Sequence, residues 1–153
     1  DALRRGYRMG FVGGGDIHDG RPGDDLHQES YPPRGFRNYR QGLTAVRVPA
    51  LTREGVFDAI RDRRTYAATR SRIYLDVELE AADRLAVTAA SERGGLRAVL
   101  VRNGVETALV AADGDGRVIE GVFEGEPLSE GEYLYLRVET ADGEMAWSSP
   151  IWG

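Results

Sequence analysis

Cysteine and lysine are both missing from this chain of 153 residues, histidine occurs only 2 times, and no apolar run approaches the ~20 residues needed to cross a bilayer. Without cysteine there is no thiolate zinc site, no cysteine nucleophile and no disulfide framework, although that absence alone does not choose between a cytoplasmic and a periplasmic setting. Without a basic excess there is little to attract phosphate backbones: the net charge is -5, which argues against a nucleic-acid partner. All cationic side chains are arginine, a pattern read as genome composition bias. No signal-like segment opens the chain and no membrane partner is expected. The first residue is Asp1, and "DALRRGYRMGFVGG" reads as the end of a helix running into a strand, so the true N-terminus is expected to lie upstream.

The stretch "GGGDIHDGRPGDD", residues 13–25, is the densest local signal. Met9 to Gly13 precede it as a short apolar run, which predicts a buried strand opening into a loop. The loop continues as a polar excursion through "DDLHQESYPPRGFRNYRQG", longer than ordinary connections and therefore functional or mobile. Leu43 to Val48 predicts a strand. In "LTREGVFDAIRDRRTY" Thr52 suits an N-cap, Glu54 suits the positive end of the helix dipole, and Val56, Phe57 and Ile60 share one face.

Beyond Thr69 the helical period vanishes. "RIYLDVELEA", "DRLAVTAA", "LRAVLVRNG", "VETALVAADG", "RVIEGVFEG", "EYLYLRVETADG" and "MAWSSPIW" are strand-like runs separated by turn chemistry, which predicts an antiparallel β-sandwich. Asn103-Gly104 and Asp142-Gly143 both suit type I′ hairpins, where two successive residues need positive φ. The expected fold is thus α+β, with a β/α unit over residues 1–69 followed by a sandwich over residues 70–153.

The glycine-rich stretch is not a phosphate loop of either common kind. A Walker motif needs Gly-Lys-Ser/Thr, and a dinucleotide fingerprint needs glycine where His18 stands. Asp16 and His18, two residues apart at the end of a predicted strand, project to the same side and can meet one metal cluster; carboxylate and imidazole suit Zn, Mn or Fe. The competing reading is a solvated loop with a capping aspartate. Arg21 can grip a substrate phosphate with its planar fork, or simply pair with Asp24 or Asp25. His27 is read as a solvated loop histidine. "DGDGRVIE" resembles a calcium loop but has Val118 where an EF-hand requires glycine, so it is read as a hairpin turn. Trp147 and Trp152 with Tyr133 and Tyr135 suit either an aromatic platform for sugars or core packing. The arginines of "RDRRTYAATR" are read as a solvated face and cap.

Taken in order, "GYRMGFVGGGDIHDGRPG", "GLTAVRVPALTREGVFDAIRDRRTYAATRSRIYLD" and "AWSSPIW" resemble the C-terminal part of bacterial proteins of the PHP (polymerase and histidinol phosphatase) superfamily, in its DUF3604 branch. The resemblance implies a distorted (β/α)7 barrel holding two or three metal ions for phosphate-ester hydrolysis, with the late Asp-x-His pair matched by Asp16 and His18, each on a different ion. It also implies that residues 1–69 are the C-terminal remnant of that barrel, with Gly13, Gly14 and Gly15 letting the backbone turn beneath the ions. The family's early His-x-His and its other ligands have no counterpart here.

Two functions follow from these readings. In the first, the chain is the C-terminal fragment of a metal-dependent phosphoesterase. Its partners would be the missing barrel strands and a phosphorylated small molecule; alone it would be inactive, with a homodimer closing its uncovered face. In the second, it is a β-sandwich accessory module for binding or assembly with no catalytic role.

Overall fold

A computed structural model describes residues 2–15, 26–29 and 37–153, with side chains described at 2–15 and 41–153. A single 3₁₀ turn, Leu3–Arg5, ends at Gly6 in the left-handed region (φ 81°). Strands β1 (Leu26–Glu29) and β2 (Arg37–Arg40) pair antiparallel within the polar excursion, Leu26 opposite Arg40 and Glu29 opposite Arg37. After β3 (Leu43–Val46) comes helix α1 (Arg53–Arg61), followed by β4 (Thr65–Ala68). The remaining strands are β5 (Tyr74–Ala81), β6 (Arg84–Ala90), β7 (Arg97–Arg102), β8 (Val105–Ala111), β9 (Val118–Glu124), β10 (Tyr133–Glu139), β11 (Met145–Ser148) and β12 (Ile151–Trp152).

These strands make two facing sheets. The larger has the order β3-β4-β11-β10-β7-β8, with β12 also paired to β10, and the smaller is β5-β6-β9. The neighbouring strands are antiparallel. Alternation explains the layer between them: Leu75, Leu85, Val87, Ala89, Ile119 and Phe123 from the small sheet meet Ala68, Ala98, Leu134, Leu136, Val138 and Ala146 from the large one. Ile73 and Leu96, each 1% exposed, plug that layer from the connecting segments. On β5, Leu75 and Val77 face this layer as strand alternation requires. Leu79 is 44% exposed, because the register slips between Leu79 and Ala81.

The sandwich is therefore as the strand runs predict, but the barrel remnant is not there. β3 and β4 are antiparallel neighbours (Leu43 opposite Ala68, Val46 opposite Thr65), and β4 pairs in turn with β11 (Ala68 opposite Ala146). Residues 43–68 thus complete the sandwich sheet. A (β/α)7 barrel needs parallel strands joined by crossover helices, whereas α1 links two antiparallel neighbours. The α+β assignment, a PHP-type barrel remnant followed by a sandwich, gives way to a mainly antiparallel β fold with one α-helix among the described residues. Met9 to Gly13 are not a strand either: residues 7–15 have no regular hydrogen-bonding pattern, and Met9 and Val12 are exposed.

Local chemistry accounts for the turns. Asn103 and Gly104 have φ of 52° and 80°, as a type I′ hairpin between β7 and β8 requires. At the Asp142-Gly143 turn only Gly143 is left-handed (φ 85°), and its N–H donates to the Thr140 carbonyl, 3.0 Å away. That is a type I turn extended by one glycine, not a second I′. "DGDGRVIE" does not close a hairpin: β8 belongs to the large sheet and β9 to the small one, so this turn carries the chain between layers. "MAWSSPIW" breaks into β11 and β12 at Ser149-Pro150, because proline has no N–H for the ladder. The helix ends at Arg61, earlier than "RDRRTY" suggests. Arg63 takes the left-handed position (φ 60°) and the Arg64 N–H closes on the Ala59 carbonyl at 2.8 Å, which turns the chain into β4.

Candidate binding cleft

The outer face of the large sheet, turned away from the small sheet, is also apolar. Val99, Val101 and Tyr133 are buried there although they point away from the inner layer. The chain that crosses this face is the N-terminal segment, residues 2–15, which can be followed strand by strand. Arg4 lies beside Gly104 at the β7–β8 turn. Arg8 stacks 5.5 Å over the Trp152 ring and donates to the Gly153 carbonyl at 3.1 Å. Phe11 meets Tyr135 edge-on, with ring centroids 5.5 Å apart. Gly13 ends the crossing at Thr44 on β3.

Because this strap is not a strand, its backbone groups are satisfied by side-chain hydroxyls. The Phe11 N–H donates to Ser149 Oγ (2.9 Å), Thr65 Oγ1 donates to the Phe11 carbonyl (2.8 Å), and the two hydroxyls lie 3.0 Å apart. Thr44 Oγ1 accepts from the Gly13 N–H at 2.9 Å and donates to the Gly13 carbonyl at 2.7 Å. The Ser149 N–H meanwhile donates to the Thr65 carbonyl at 3.1 Å, which leaves its hydroxyl for the strap.

Two of the glycines are demanded by close approach. A Cβ on Gly13 would lie 2.3 Å from the Leu43 carbonyl oxygen, and one on Gly15 would lie 1.2 Å from Gln41 Oε1. A side chain at Gly13 would collide with the β3 backbone and lift the strap, whereas one at Gly15 would have to displace the Gln41 side chain. Gln41 is itself buried, 6% exposed, and its Nε2 has no hydrogen-bond partner among the described residues.

Asp16, His18 and Arg21, the residues singled out for metal and phosphate binding, lie outside the described residues, as does the side chain of His27. The described residues immediately before them, Gly13 to Gly15, run against Leu43 and Gln41. Among the described residues no group of three or more His, Cys, Asp or Glu side chains converges. The donors described here do not by themselves fit a Mn, Zn or Fe centre, so Asp16 and His18 would need further ligands from elsewhere.

Between the strap and the sheet lies an open cleft of about 820 Å³. Ala67 on β4 is its small floor, Trp147 and Tyr135 its aromatic walls, the segment from Gly10 to Gly14 its roof, and Gly42, Thr69 and Arg70 its mouth. Tyr135 is half-buried, and that burial raises its phenol above the ordinary value of 10, so at neutral pH it is a protonated hydrogen-bond donor. Arg70 is held at the mouth by Glu144: their charged atoms are 3.0 Å apart, with the carboxylate side chain 8% exposed and the guanidinium 61% exposed. Glu144 in turn accepts from Thr69 Oγ1 at 2.5 Å, and Thr69 Oγ1 accepts from the Met145 N–H at 2.9 Å.

The aromatic platform read from the sequence divides. Trp147 and Tyr135 line the cleft, whereas Tyr133 and Trp152 pack on each other with ring centroids 5.2 Å apart. Arg70, Thr69 and Glu144 were not legible as a site. β4 was not read as a strand, and its pairing with β11 is what brings Thr69 to Met145.

No known family profile matches the chain, and no solved structure matches it. Three curated bacterial proteins do, all uncharacterised. One from Chlamydia pneumoniae is 29% identical over 181 aligned residues, covering 99% of this chain. Those from Chlamydia trachomatis and Chlamydia muridarum are each 28% identical, again over 99% of this chain. The chain spans 28% of the length of each of these relatives.

Proposed function

We propose that the chain is a β-sandwich accessory module of a longer bacterial protein, and that it binds a small ligand in the strap cleft without carrying out chemistry itself. The observation that supports this most is the cleft: an aromatic wall, an alanine floor, a roof of glycine-rich backbone and an ion-paired arginine at the mouth. Such a lining suits a ligand with one flat ring face and a hydroxylated or anionic edge, since aromatic walls stack on the face and the arginine fork and phenol meet the edge. Intrinsic fluorescence, titrated with a panel of monosaccharides, sugar phosphates and nucleotides, tests it directly. Saturable quenching is expected for one class, weakened ~10-fold by Trp147→Ala, about what loss of a ring-stacking contact costs. Trp152→Phe should leave it unchanged. A flat response to every class at millimolar concentration would rule the cleft out.

A second reading keeps the longer protein as a metal-dependent phosphoesterase, with Asp16 and His18 as two of several ligands and Arg21 on the substrate phosphate. It is favoured by the close packing of Gly13 on the Leu43 backbone, three residues before Asp16. Equal Mn or Zn affinity in the longer protein before and after a combined Asp16→Ala and His18→Ala change would remove it.

A further inference from the structure

The helix α1 is turned the wrong way round for a helix that serves only its own sandwich. Its apolar face, Val56, Phe57 and Ile60, should lie against the sheets. Instead it buries Ala59 (0% exposed), only half-buries Val56 and leaves Phe57 64% and Ile60 51% exposed, with Leu51 just before it at 86%. The helix start is tightly built: Thr52 Oγ1 caps the Gly55 N–H at 3.0 Å, and a Cβ on Gly55 would lie 3.0 Å from the Ala50 carbonyl oxygen, so the first turn is packed onto the chain that leads into it. Beside the helix runs β3, an edge strand whose outer side has no strand partner among the described residues. The patch is rimmed by charge, with Arg61 paired to Asp58 at 3.1 Å and lying 6.0 Å from the centre of the Phe57 ring.

We propose that Leu51, Phe57 and Ile60 are a docking surface covered in cis by the rest of the longer polypeptide, a proposal that rests on the module reading above. Size decides against a second copy. Three side chains exposed to this degree offer on the order of 300–400 Å² of apolar surface, whereas a stable association of separate chains needs roughly 800 Å² from each partner. A covalently joined domain escapes that requirement, because linkage raises its effective concentration into the millimolar range. The relatives supply such a neighbour in length: 72% of each (100% less the 28% matched) lies outside the matching region. The occupant is accordingly an apolar face of the same polypeptide, with carboxylates and arginines meeting the charged rim.

Amide hydrogen exchange of residues 51–61, compared between this 153-residue chain and the longer polypeptide containing it, tests the proposal. Exchange at least ~10-fold slower in the longer polypeptide is expected, returned to the isolated rate by Phe57→Glu with Ile60→Lys. Both substitutions are on exposed positions and should leave the circular dichroism of the isolated chain unchanged. The isolated chain should sediment as a monomer. Equal exchange in the two contexts would overturn the docking surface, and so would an isolated dimer dissolved by the same double substitution, which would assign the patch to a second copy. If the isolated chain fails to hold the sandwich, the module reading itself falls; if it folds and exchange is equal, only the docking surface does.

Discussion

The two faces of the large sheet are covered in opposite ways. On the inner face, side chains of two sheets interdigitate, and cohesion comes from apolar area shared among many residues, with Leu136 and Val138 at 0% exposure. On the outer face one irregular strap is fastened at a few points: hydroxyls of Thr44, Thr65 and Ser149, the Phe11–Tyr135 ring contact, and glycines that let backbone touch backbone. The first kind of cover does not hang on any one polar atom. The second depends on individual atoms, and it leaves an open cleft because hydroxyl fastenings hold a chain at a distance where packed side chains would not.

The difference predicts where substitutions do global and where local damage. Leu136→Ala should cost the whole molecule about 2–5 kcal/mol, the range for emptying a buried leucine site, read as a shift of the urea midpoint at constant slope. Gly13→Ala should act differently, since its Cβ would collide with the Leu43 backbone: the strap should lift, with faster amide exchange at residues 10–14, while the sandwich keeps most of its stability. Thr44→Val, which leaves the Gly13 N–H and carbonyl without their partner, should do the same more mildly, by about 1–3 kcal/mol of local opening. Global unfolding by either strap variant would erase the distinction between the two faces.

A fourth prediction concerns the far end of the large sheet. There Glu132 accepts from Arg102, from the Ser129 N–H at 2.9 Å and from Asn103 Nδ2 at 2.8 Å. The Arg102 hydrogen bond above all, then those from Ser129 and Asn103, lowers its carboxyl from 4.5 to about 2. A depressed folded-state pKa adds stability above the unfolded value. The contribution should therefore be complete above pH 4.5 and be lost as pH falls through about 2. Thermal melts of Glu132→Gln between pH 2 and 6 should show a flatter acid limb than the parent chain, and an unchanged limb would show that this clamp adds nothing. The smallest expected effect is a gain. Arg63 occupies a left-handed position that glycine accepts without strain, so Arg63→Gly should stabilise by up to about 1 kcal/mol in the same urea titration. A loss instead would mean that the Arg63 side chain, whose Cβ lies beside Gly10, helps to hold the strap.

The legible parts of the fold were those written in short-range pattern. Alternation in "DRLAVTAA" and "EYLYLRVETADG" marks β6 and β10, Asn103-Gly104 marks its hairpin, and Thr52 marks the helix start. β4 escaped because Thr65, Tyr66, Ala67 and Ala68 follow a helix without a glycine or proline between, and the left-handed turn is made by an arginine. The strap was misread as a buried strand because Met9, Phe11 and Val12 are apolar, although two of the three face solvent. Of the site, Trp147 and Tyr135 were visible as residues of interest, but the strand aromatics could equally have packed inward.

By itself the amino-acid order determined the period-2 strands, their turns and the helix cap, because each depends on neighbours within about four residues. Tertiary structure alone decided that β3 and β4 join the sandwich sheet instead of a barrel, that α1 turns Phe57 and Ile60 outward, and that the strap crosses the outer face to enclose the cleft. Those outcomes rest on contacts such as Gly13 with Thr44 and Phe11 with Ser149, between residues 31 and 138 positions apart. Hydroxyls that fasten a distant backbone carry no periodicity, so nothing in the local pattern announces them.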